Sequence, residues 1–243
     1  MSFNYMQPFV TLAGGLQTQH PAGATEFNSM YESFNPLTTV NKQHFVEWFS
    51  GSALDSIWNT ANDVGTPTYT MDDTVDGGLK ISVSSELNAT ASIGWGTTYN
   101  TAGKRQYAHN GSVYIDVFKQ NTARSTIAQC PHGFSENQRG DSAGNNASLF
   151  FTATSTTDFF QTRTINGAGS QTDTATTTAY DTNWHVFKVE NKASSVEFTL
   201  DGTLEATSTT NLPAAKVHPI AGLQGTSGGS PSCSIRYMEC YNT

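Results

Sequence analysis

The segment Trp184–Ala206 limits the fold more tightly than any other part of this chain. His185, Phe187 and Val189 alternate with Val186, Lys188 and Glu190, and Asn191–Ser195 then breaks the run. Val196, Phe198 and Leu200 follow, alternating with Glu197, Thr199 and Asp201. Successive side chains on a strand point to opposite faces, so the pattern predicts two antiparallel strands, each with one face on a core. Asp201-Gly202 supplies the positive φ needed for a tight turn into Thr203–Thr207. Trp184, Phe187, Val189, Val196, Phe198 and Leu200 are expected inside, with Phe187 and Phe198 toward a second sheet.

Other strand signals lie at Thr68–Thr70, Leu79–Val83, Ser92–Trp95, Ser112–Phe118, Ile127–Phe134, Ser148–Ala153, Phe159–Thr164, Val217–Gln224 and Ser234–Tyr241. Turn-rich breaks such as Asn110-Gly111 and Asn166–Gly169 separate them, and Ser52–Asn59 is the one helical candidate. Only 13% of the 243 residues are charged, and Thr, Ser, Asn and Gly fill much of the remainder. Around a dozen strands without a repeat favour a sandwich over a propeller.

Trp184-His185-x-Phe187-x-Val189-Glu190, followed by Val196-x-Phe198-x-Leu200-Asp201-Gly202-x-Leu204-x-Ala206, resembles the back-sheet strands of concanavalin A-like lectin/glucanase domains. The resemblance implies an all-β, two-sheet antiparallel jelly-roll sandwich serving glycan binding, glycan cleavage or surface attachment. Phe45, Glu47, Phe49, Gly51, Leu54, Asp55 and Trp58 resemble the opening of phage-virion proteins of that class. Residues 45–243 are expected to form the jelly roll.

Residues 1–44 carry Pro8, Pro21 and Gly14-Gly15, little charge, and no sustained period. Their apolar groups, Phe3, Tyr5 and Phe9 among them, are too many for a solvated linker. An extended assembly arm is expected, docked on its own domain or a neighbouring subunit; a disordered tail is the alternative. The opening MSFNYMQPFVTLAGG lacks the cationic and apolar regions of an export signal. A place on a virion surface is therefore expected after assembly in the host cytoplasm. Expected partners are capsid or other virion subunits, further copies of the chain, and a cell-surface glycan. A net charge of −8 without a basic run argues against nucleic acid, and no apolar stretch reaches the length of a membrane span.

Retaining glucanases of the resembled class carry two glutamates on one strand, as E-x-D-x-x-E or E-x-D-x-x-x-E. The nearest match is Tyr114–Gln120, where Tyr114 and Gln120 stand in the glutamate places around Asp116. No catalytic residue is assigned, and the chain is expected to be non-enzymatic. Glu47 with Asp55, and Glu197 with Asp201, read as solvating acids. Asp72, Asp73 and Asp76 could hold Ca²⁺ through oxygen ligands, though hairpin geometry alone accounts for an acidic turn before Gly77-Gly78. No other cofactor is implied. The six histidines form no metal pair, and His185 reads as a hydrogen-bonded core group. Cys130, Cys233 and Cys240 read as free thiols, with a link from Cys130 left open. Arg139-Gly140-Asp141 reads as a polar loop, and the three Asn-x-Ser/Thr sequons as unmodified without export. Trp95, Tyr99, Tyr107 and Tyr180 lie near turns and are the candidate glycan contacts, since sugar rings stack on exposed aromatic faces. A non-enzymatic virion structural or decoration protein with glycan-binding capacity is the preferred reading. A hydrolase or lyase on the same fold, and a cellular adhesin or secreted lectin, are its rivals.

Overall fold

The computed structural model describes residues 9–11, 17–19, 44–72, 77–95, 107–137, 145–152, 158–226 and 228–243. Two eight-stranded antiparallel sheets stack face to face. Strands are numbered in chain order. One sheet, called here the β8 sheet, contains β3 (His44–Trp48), β5 (Thr68–Asp72), β6 (Gly78–Ser82), β8 (Ser112–Gln120), β14 (His185–Asn191), β15 (Val196–Leu200), β16 (Thr203–Ser208) and β18 (Ser232–Asn242). Its order is β16-β15-β14-β8-β18-β6-β5, with β3 paired to β18. The other, the β10 sheet, contains β4 (Asn59–Ala61), β7 (Thr90–Gly94), β9 (Ile127–Gln129), β10 (His132–Ser135), β11 (Ala147–Phe151), β12 (Phe159–Ile165), β13 (Gln171–Ala179) and β17 (His218–Gly225). Its order is β13-β12-β11-β10-β17-β7-β4, with β9 paired to β17.

The expected double hairpin is present. Phe187 lies opposite Leu200, and Val189 opposite Phe198. Asp201 and Gly202 take φ of +49° and +83°, which bring β16 back along β15. Phe187, Val189, Val196, Phe198 and Leu200 are buried between the sheets with Phe118, Phe134 and Phe150. Trp184 departs from expectation: it is half-buried, because it shares the outward parity of Val186 rather than the inward parity of His185.

Three further differences have local causes. Ser52–Asn59 forms turns rather than a helix before β4 begins at Asn59, with Trp58 N bonded to Asp55 O at 3.1 Å. The strand expected over Ile127–Phe134 is split into β9 and β10 at Cys130-Pro131, where proline offers no N–H to a ladder. β13 was not expected, since Gln171–Ala179 is mostly threonine and has no apolar period. Within residues 1–44, β1 (Phe9–Thr11) and β2 (Gln17–Gln19) form a small antiparallel pair that places Phe9 opposite Gln19. Phe3 and Tyr5 lie outside the described residues.

The three cysteines are buried and unbridged. A second apolar cluster, Ala147, Leu149, Ile165 and Ile220, is distinct from the main core. These residues alternate with inward neighbours such as Phe150 and Ala221, so they lie on the outer face of the β10 sheet, which is as buried there as its inner face.

Candidate functional site

β8 carries the glucanase-like stretch, and its even-numbered residues face the other sheet. Tyr114, Asp116, Phe118 and Gln120 are all buried. The Tyr114 hydroxyl donates to Asp116 Oδ2 at 2.8 Å, and His132 Nδ1 lies 2.9 Å from the same oxygen. His132 also stacks on Phe118, with ring centroids 4.1 Å apart. Burial, then the Asp116 charge, push the Tyr114 hydroxyl well above its ordinary pKa. Glutamates at positions 114 and 120 would face this core and could meet no polysaccharide. Their absence therefore says nothing about catalysis.

Two of the four expected glycan contacts are core residues. Trp95 and Tyr107 are 3% and 2% exposed. The Trp95 ring lies 4.9 Å from Phe45 and 5.9 Å from Tyr107, and the Tyr107 hydroxyl donates to Cys240 O at 3.1 Å. Proximity to turns marked the end of the sandwich rather than its surface, so their assignment as sugar contacts is corrected. Tyr180 is half-buried against Phe160, with its hydroxyl on Thr122 O. Tyr99 lies outside the described residues, as do Asp73 and Asp76 of the acidic turn, while Asp72 ends β5. Among the described residues no group of three His, Cys, Asp or Glu side chains could hold a metal ion.

Two acid groupings differ from the solvated acids expected. Glu47 points inward on β3 and accepts from Trp58 Nε1 at 3.3 Å. Burial pushes its carboxyl above the usual range, the Trp58 bond opposes this, and the Asp55 charge adds to the rise. At the other site His185 stands between two acids, Nδ1 2.6 Å from Asp201 and Nε2 2.9 Å from Asp181. The imidazole fills the gap that a glycosidic bond would need, so this pair of carboxylates serves as a structural clamp.

Exposed aromatic and cationic groups gather on the outer face of the β8 sheet. Trp48 is 61% exposed and leans on Tyr237, with ring centroids 4.6 Å apart. The Tyr237 hydroxyl donates to Glu239 at 2.7 Å, and Glu239 meets His44 at 2.8 Å. Next along β18, the register shift between Ile235 and Tyr237 makes Arg236 the extra residue of a bulge. Bulges re-aim side chains. Here the Arg236 guanidinium lies 4.3 Å from the centre of the Trp184 ring, and Lys119 Nζ lies 4.7 Å from the same centre. Beside them is a cavity of about 510 Å³ lined by Thr70, Met71, Asp72, Gly77, Gly78, Lys80, Lys119, Asn121 and Ser234. Gly78 has φ of +153°, and a Cβ there would stand 2.3 Å from Ile235 O, so the close approach of β6 to β18 at this cavity requires glycine. Of these side chains Asp72 alone was expected at a site, as a Ca²⁺ ligand. The alternation was the available signal: with Phe45, Glu47 and Phe49 inward, Trp48 must face out, as Trp184 must with Val186.

No protein-family model and no curated protein matches the sequence. Similarity to solved structures is extensive in coverage and low in identity. Bacillus licheniformis β-glucanase is 13% identical over 82% of this chain and 98% of its own, with a TM-score of 0.57. An immunostimulatory antigen and pseudo β-1,3-glucanase of Mycobacterium tuberculosis is 16% identical over 82% and 98%, also at 0.57. The carbohydrate recognition domain of Emp47p is 10% identical over 82% and 94%, again at 0.57. The expectation of a non-enzymatic chain is thereby corrected: solved structures of this shape include β-glucanases, and the strand on which the expectation rested faces the core. Virion proteins are not among these three likenesses. What the likeness establishes is the architecture, and this chain is a concanavalin A-like jelly-roll sandwich.

Proposed function

We propose that this chain binds a carbohydrate on the outer face of the β8 sheet, at the cavity beside Trp184. The lining of that cavity carries the reading: ammonium, amide, hydroxyl and carboxylate groups surround about 510 Å³, with an indole next to Lys119. Sugars offer the matching chemistry, hydroxyls that donate and accept together with a ring face that stacks on aromatics. Likeness in fold to a carbohydrate recognition domain and to glucanases supports it. Trp48 and Tyr237 provide a second stacking surface for a longer chain. Affinity electrophoresis in gels cast with polysaccharides tests the reading. Retardation by at least one polymer is expected, with most of it lost in Trp184→Ala. Mobility unchanged in every gel, or retardation indifferent to Trp184→Ala, overturns it.

A second reading, glycan cleavage, is supported by the likeness in fold to β-glucanases. Release of reducing ends from β-glucan is the expected result. Absence of turnover removes this reading and leaves the first. We propose further that the chain is carried on a virion, a setting that the sequence of residues 1–58 supports.

A further inference from the structure

The described lining of the cavity on the β8 sheet carries more bases than acids, whereas the whole chain has twelve Lys and Arg against twenty Asp and Glu. Strand register places two bases in one row. Ser234 of β18 lies opposite Lys80 of β6 on one side and opposite Lys119 of β8 on the other. Neighbouring strands are about 4.8 Å apart, so the two lysine Cα atoms stand roughly 10 Å from each other on one face. Long side chains from those positions can converge on a single group above Ser234. The Ser234 oxygen already accepts from Asn121 Nδ2 at 2.8 Å, which leaves its hydroxyl proton to donate upward.

Lysines side by side on one face repel each other unless something anionic lies between them. Among the described residues neither Lys80 nor Lys119 is in an ion pair. Arg163 by contrast holds Asp173 at 2.8 Å, Lys188 holds Glu190 at 2.7 Å and Lys192 holds Glu197 at 2.7 Å. Among the described lining residues the carboxylate beside the two ammonium groups is Asp72. Arg236 adds a third cation at the rim, its Nε on Gly77 O at 3.4 Å. An indole, three cations and a serine hydroxyl on one patch are the complement of a ring that bears a negative charge.

Resting on the carbohydrate reading above, we infer that the sugar received here is acidic. Its carboxylate or sulfate group sits between Lys80 and Lys119 over Ser234, and its ring lies toward Trp184. Asp72 and Asn121 take its hydroxyls.

The test is retardation of the full chain in gels of matched polymers: polygalacturonate and its methyl ester, a sulfated galactan and its desulfated form, and a neutral β-glucan. Stronger retardation by the charged member of at least one pair is expected, and whichever pair responds identifies carboxylate or sulfate. Lys80→Gln and Lys119→Gln should each weaken it about tenfold, the worth of one charge-assisted hydrogen bond. Lys216→Gln, an exposed lysine elsewhere, should leave it unchanged. Equal retardation by both members of each pair overturns the inference and leaves the carbohydrate reading standing. A loss in Lys216→Gln as large as that in Lys119→Gln shows a general charge effect and also overturns it, as does equal binding of polyphosphate. No retardation by any polymer overturns both.

Discussion

His185 Nδ1 stands 2.6 Å from Asp201 Oδ2, tying the first residue of β14 to the turn that closes β15. Asp201 Oδ1 also accepts the Val186 N–H at 2.8 Å, so one carboxylate holds both strands of the hairpin end. Asp201→Ala should cost about 1–3 kcal/mol in urea unfolding. Burial pulls the His185 pKa down, but the bonds to Asp201 and Asp181 outweigh it and the net shift is upward. A base with a raised folded pKa contributes stability that is complete below its unfolded value and is lost as pH rises through the folded one. The wild type should therefore lose melting temperature as pH climbs from about 6.5, the unfolded histidine value. His185→Asn should lack that decline, and identical profiles for the two proteins would remove His185 as its source.

His218 titrates with the opposite sign. Burial pushes its imidazole down to about 4. The unfolded chain takes up its proton near 6.5, so stability is complete above that pH and is lost as pH falls toward 4, by about 3 kcal/mol. Urea unfolding at pH 7 and pH 4.5 should show a larger loss for the wild type than for His218→Gln. Equal losses would assign the acid sensitivity to other groups.

Phe198 is fully buried, with its ring 5.4 Å from that of Phe150 on the opposing sheet. Phe198→Ala should cost about 3–5 kcal/mol, read as a lower urea midpoint with little change in slope. A loss under about 1 kcal/mol would mean that the two sheets close over the gap.

We propose that the arm, residues 1–44, contributes to self-association or particle binding through Phe3, Tyr5 and Phe9. Removing the first twenty residues should lower the number of copies per assembly, measured by sedimentation equilibrium, while the melting transition persists. An unchanged number of copies, with particle binding intact, would exclude that role.

The hairpin from β14 to β16 was legible because its alternation is strict and its turn residues take the positive φ that Asp-Gly allows. Where size and parity disagreed, parity won. Trp184 was expected inside with Phe187 and Val189, yet it lies on the outer face with Val186, and the exposed Trp48 follows the same rule. β13 was not legible, because one of its faces is exposed throughout and the other, largely covered, is made of threonines and so carries no apolar period. The row Lys80–Ser234–Lys119 was beyond reach for another reason. It depends on the register of three strands far apart in sequence, which local pattern does not encode.

Among the described residues β18 is the longest strand, and it lies in the interior of its sheet, bonded to β8 along one edge and to β6 and then β3 along the other. β18 follows all of its partner strands in the chain, so it emerges after them during synthesis. Until Ser232–Asn242 is free of the ribosome, β8 and β6 each present an open edge with no partner between them. The β8 sheet must therefore close after synthesis has passed this point, through pairings that join the two ends of the domain, and its folding should be slow and dependent on shielding of those edges.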